Sequence, residues 1–115
     1  MWRLKQHFAD GVRYIMRLRE QINGLKGFRL NEKNRQLQQL RATILEFRRI
    51  VDNLEKQIAI EERQVGIYDK NHFAYPILAK SARQRADNLL ISIRDLLLRQ
   101  KMLEDSLETT SDGDE

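Results

Sequence analysis

The stretch LNEKNRQLQQLRATILEFRRIVDNLEKQIAIEERQVG, residues 30–66, carries the pattern that decides the fold. Apolar residues recur in it at alternating steps of three and four. One row is Leu30, Leu37, Ile44, Val51, Ile58 and Val65, and the other is Lys33, Leu40, Phe47, Leu54 and Glu61. Nine of these eleven positions are apolar, and most residues between them are Arg, Gln, Glu, Asp, Asn or Lys. A stripe kept at this spacing over five heptads predicts a coiled-coil helix, because a helix under-wound to 3.5 residues per turn holds both rows against one neighbour. Gly66 predicts its end, since glycine enters the left-handed conformation without a Cβ clash.

A second series follows Pro76, a residue suited to a first helical turn because its missing N–H has no partner there anyway. Ala79, Ala86, Ile93, Gln100 and Leu107 form one row, and Ala82, Leu89, Leu96 and Leu103 the other. The connection is short, ten residues from Gly66 to Tyr75, which predicts an antiparallel pair. Setting Val65 against Ala79 brings Ile58 to Ala86, Val51 to Ile93, Ile44 to Gln100 and Leu37 to Leu107. In these layers the residue numbers add to 144. The alternate layers, Leu54 with Leu89, Phe47 with Leu96 and Leu40 with Leu103, add to 143. The expected fold is all-α, a long antiparallel two-helix coiled-coil hairpin with helices over about 17–65 and 76–108 and a loop at 66–75.

The flanks read differently. Ile15, Leu18, Ile22 and Leu25 also step by three and four, one residue out of phase with Leu30. Gly24 and Gly27 lie at the slip, each costing a helix about 1 kcal/mol relative to alanine, so the helix either runs through with a local adjustment or breaks there. Residues 1–15 read as an N-terminal extension that the hairpin does not need, with Met16 an alternative start. At the other end, residues 104–115 hold six acids and no base, so the net charge of +4 leaves +10 on residues 1–103. Residues 109–115 contain no apolar side chain and are expected to be a disordered acidic tail.

With no cysteine among 115 residues there is no disulfide framework and no thiolate metal site. Apolar runs such as Leu89-Leu90-Ile91 fall far short of the ~20 residues of a membrane span. Composition argues against a metabolic enzyme, and the motifs agree. The two histidines, His7 and His72, are far apart in sequence. His72 beside Asp69 and Asn71 reads as a loop residue making a turn contact rather than a metal ligand. Glu61 and Glu62 are neighbours on a helix and point apart, and Glu61 is expected to reach Arg83 or Arg85 on the opposite arm. No glycine-rich phosphate loop or nucleophile elbow is present. The chain is expected to be non-enzymatic, with no catalytic residue, cofactor or metal.

Arg13, Arg17, Arg19, Lys26, Arg29, Arg35, Arg41, Arg48 and Arg49 could meet phosphates, but Glu20, Glu32 and Glu46 interrupt them. A solvated coiled-coil face is therefore expected rather than a nucleic-acid surface. Ile91 and Leu98 form an apolar stripe on the far side of the second helix. It suits a third helix or a partner protein, or residues 1–22 folded back over it. The loop string His72-Phe73-Ala74-Tyr75-Pro76 is apolar enough to need a task. Either Phe73 and Tyr75 pack over the end of the hairpin near Val65 and Ala79, or they contact a partner.

Asn71-His72-Phe73-Ala74-Tyr75-Pro76, with Ala79-Lys80 and Gln84-Arg85-Ala86-Asp87-Asn88-Leu89, resembles the FliJ family of flagellar type III export proteins in its alphaproteobacterial form. Residues 25–36, LKGFRLNEKNRQ, are similar to the basic start of the first helix in those proteins, and the likeness runs from about Met16 to Glu108. Residues 1–15 depart from it by extending the front. The resemblance implies an antiparallel coiled coil similar to the central stalk of rotary ATPases. It also implies the family's partners: the flagellar export ATPase, the membrane export gate and export chaperones. The implied location is cytoplasmic, peripheral to the inner membrane at the flagellar base. No catalytic residue carries over. The alternative to this reading is a generic coiled-coil adaptor or a basic nucleic-acid-binding helical protein.

Overall fold

A computed structural model describes residues 2–112, with side-chain surroundings for 3–109. Helix α1 runs Trp2–Val65 and helix α2 runs Ile77–Asp112. They pack as an all-α antiparallel hairpin, with no strand among the described residues. The molecule measures 97 × 17 × 16 Å. At about 1.5 Å per residue α1 alone accounts for that length, whereas α2 covers only a little over half of it.

The heptad rows meet where the two helices overlap. Leu37, Ile44, Val51, Leu54 and Ile58 of α1 and Ala79, Ala82, Ala86 and Ile93 of α2 are buried. Toward the open end Ile44, Val51 and Ile93 pack with Phe47, Leu89 and Leu96. Toward the loop Leu54 and Ile58 pack with Tyr75, Ala79, Ala82 and Ala86. Large α1 side chains thus face small α2 ones, which lets the layer fill without voids. Leu40, Leu103 and Leu107 are half-buried, and Gln100 occupies its seam site through a hydrogen bond described below.

The start of α1 differs from expectation. It begins at Trp2, not near residue 17, and passes through Gly24 and Gly27 without a break. Propagating an existing helix adds one hydrogen bond per residue fixed, and that outweighs about 1 kcal/mol at each of two glycines. Of residues 1–22, expected as one possible cover for Ile91 and Leu98, the described ones from Trp2 onward do not fold back, because an uninterrupted helix carries them away from α2.

The other end differs too. Thr109–Asp112 continue α2 instead of starting a disordered tail, with Thr109 Oγ1 donating to the Asp105 carbonyl at 3.0 Å. Residues 113–115 of the expected tail lie outside the described residues. Pro76 stands just before α2 rather than in it, its carbonyl accepting the Lys80 N–H at 3.0 Å.

Candidate interaction surfaces

Four surfaces stand out once the hairpin is closed: the loop tip, the polar flanks of the seam, the outward stripe of α2, and the length of α1 that α2 does not reach. At the tip Gly66 takes φ 75° and its N–H donates to the Glu62 carbonyl at 2.8 Å, closing α1. The Asn71 N–H donates to Asp69 Oδ1 at 3.0 Å, and the His72 N–H to the Asp69 carbonyl at 3.0 Å. His72 Nδ1 accepts the Ala74 N–H at 3.0 Å, so this histidine makes a turn contact, with its ring stacked on Phe73 at 4.7 Å. Among the described residues no group of three His, Cys, Asp or Glu side chains could hold a metal ion.

The two loop aromatics part company. Tyr75 is buried in the cluster with Leu54, Ile58 and Ala79, while Phe73 is 96% exposed. The expected packing of Phe73 over the hairpin end is therefore overturned. Val65, expected to face Ala79, is likewise exposed. The chain turns away at Gly66, so the last layer is filled by Tyr75 with Ile67 against it, and Ala79 is fully buried beneath them. The Tyr75 hydroxyl lies beside Arg83 and favours its charged guanidinium, yet neither this oxygen nor Arg83 Nε completes a well-formed hydrogen bond.

Charge pairs line the flanks. Arg83 approaches Glu62 at 3.7 Å, so the cross-arm contact expected of Glu61 is made by its neighbour. Adjacent residues on a helix point about 100° apart, so Arg83 meets one glutamate and not the other. Further along, Arg41 donates to Glu104 at 3.1 Å while Gln100 Nε2 donates to the same carboxylate at 2.9 Å. Lys33 Nζ, the polar seam residue nearest the open end, donates to Ser106 Oγ at 2.7 Å. The donors on Glu104, Gln100 first and then Arg41, hold its carboxyl below the usual glutamate range. A depressed carboxyl contributes stability above its unfolded pKa and loses it as pH falls through the folded one. Melting of the Glu104→Gln variant should therefore differ from that of the parent at neutral pH and converge with it in acid, below the ordinary glutamate range. The difference will be small because the pair is solvent-exposed.

The outward stripe holds Ile91 and Leu98, both exposed, with Met102 one turn beyond. Larger is the uncovered part of α1. Leu4, Phe8, Val12, Ile15, Leu18, Ile22 and Leu25 are all exposed. The heptad reading begins this stripe at Ile15. The same three-four steps extend back through Gly11 and Phe8 to Leu4, a signal present in the sequence but interrupted by that glycine. Among the described residues no helix is long and apolar enough to cross a membrane. The chain matches no family model, no curated protein and no solved structure.

Proposed function

We propose that this chain is a non-enzymatic coiled-coil stalk of a flagellar type III export apparatus, associating with the export ATPase, the export gate and export chaperones. The observation that carries the reading is the slender rod, 17 × 16 Å across, joined to the loop string Asn71–Pro76 that resembles the FliJ family. A rod of two paired helices is narrow enough to enter the middle of a hexameric ring. Its flanks carry exposed ion pairs, each worth little alone, which suits a part that must engage a ring without locking into it. The fully exposed Phe73 gives the tip a contact that hairpin stability does not require. On this reading the protein acts at the flagellar base, on the cytoplasmic side, held to the membrane through its partners.

The test is a clean deletion together with affinity purification. Loss of flagellar assembly and motility, with the export ATPase recovered alongside the tagged protein, is the expected result. Unimpaired motility in the deletion strain would remove the proposal. Binding to DNA or RNA at physiological salt, falling steeply as salt rises, would replace it with the nucleic-acid reading.

A further inference from the structure

We propose that the uncovered part of α1 is a self-docking surface, on which a second copy of this chain lies antiparallel and takes up the line that α2 leaves. This inference stands independently of the export reading. Its basis is the face on which the stripe falls. In a straight helix a seven-residue repeat drifts by about 20° per heptad, and one extra residue turns the helix by about 100°. The one-residue slip near Gly24 and Gly27 therefore restores about five heptads of drift. It leaves the stripe from Leu4 to Leu25 on the same side of α1 as Leu37 and Ile44, which α2 covers.

That placement selects the direction of the second copy. Two copies side by side in parallel would drive α2 against α2 from residue 37 onward. An antiparallel second copy instead leads its own hairpin away beyond Trp2. In that direction the stripe is complementary to itself. Ile15 faces Ile15 and Phe8 faces Ile22, with residue numbers adding to 30; Leu4 faces Leu25 and Gly11 faces Leu18, adding to 29. The same alternation by one relates the layers within the hairpin. Such a contact is closed by a two-fold axis through Ile15 and does not propagate into fibres.

The helix ends supply a second, independent observation. α1 has no acid in its first turn, where Arg3 and Lys5 stand, and α2 has no base in its last turn and ends at Asp112. Each end therefore opposes its own helix dipole. In the proposed register Trp2 of the second copy comes level with residue 28, while Asp112 of the first is level with residue 32. The second α1 then runs parallel to α2 and follows it head to tail. The basic helix start meets the acidic helix end, and the two dipoles align.

Charge also separates self-docking from docking on an acidic partner. Residues 1–29 hold seven bases and two acids, and Lys5 comes beside Lys26 across the contact. This repulsion along the contact and the attraction between its basic and acidic helix ends are both screened by salt and oppose each other, so self-docking should depend only weakly on salt, whereas docking on an acidic helix or an anionic lipid surface would weaken steeply.

The chain has no cysteine, so single substitutions report cleanly. In the full chain Ile15→Cys should oxidise to a dimer. Leu4→Cys and Leu25→Cys should each stay uncrosslinked alone and join when mixed. Sedimentation should show a dimer that persists from low to high salt, and Ile15→Asp should abolish it without unfolding the hairpin, since Ile15 is exposed outside it. Self-crosslinking of Leu4→Cys would mean a parallel pair and overturn the proposal. A chain monomeric at every salt concentration, or one that docks only on added anionic vesicles or an acidic helical peptide, would overturn it equally.

Discussion

Replacing Tyr75 by alanine should destabilise the hairpin by about 3–5 kcal/mol, the usual result of removing a buried aromatic side chain. That is a large part of the 5–15 kcal/mol typical of a small domain, so a measurable unfolded fraction is expected near physiological temperature. The residue is 6% exposed and closes the loop end of the core over Leu54, Ile58 and Ala79. Two companion variants isolate the cause. Tyr75→Phe should melt at or slightly above the parent temperature, because it keeps the ring and removes a buried hydroxyl that completes no hydrogen bond. Phe73→Ala, at a side chain almost wholly in solvent, should leave melting unchanged and instead impair export if the tip contacts a partner. Equal losses for Tyr75→Ala and Phe73→Ala in urea or thermal unfolding would contradict the division of labour between the two rings.

The second large effect concerns register. With Val51→Cys and Ile93→Cys in the same chain, oxidation should produce an intramolecular disulfide, since the native residues share one buried cluster. The bond closes a long loop through residues 66–76, and chain-entropy arguments place its stabilisation near ~4 kcal/mol at best, less any strain in the native geometry. A higher melting temperature that reductant reverses, at unchanged hydrodynamic size, is the expected outcome. Cross-linking only between chains would replace the hairpin by a parallel dimer. The Val51–Ile93 site and the Ile15 site test separate contacts, so one can fail while the other holds.

Periodicity by itself determined the seam from Leu37 to Ile58, its counterpart from Ala79 to Ile93, and the antiparallel direction. A repeat of 3.5 residues is already a statement about which side chains share a face, and a ten-residue connection leaves two such helices little choice but to pack on each other. The export-stalk reading rests on the loop string and its flanks and not on periodicity, which any coiled coil would share.

Only the tertiary structure decided that Tyr75 and not Val65 fills the last layer, that Phe73 points to solvent, and that Glu62 rather than Glu61 meets Arg83. Loop conformation rests on single hydrogen bonds, such as Ala74 to His72 Nδ1, that have no period to read. The choice between adjacent glutamates rests on helix phase at the end of the seam, where heptad and helical repeats have drifted apart. The sequence places the start of α1 near residue 17 because Gly11 interrupts the stripe that leads back to Leu4; an existing helix propagates through a single glycine, and only the intact helix shows that it does.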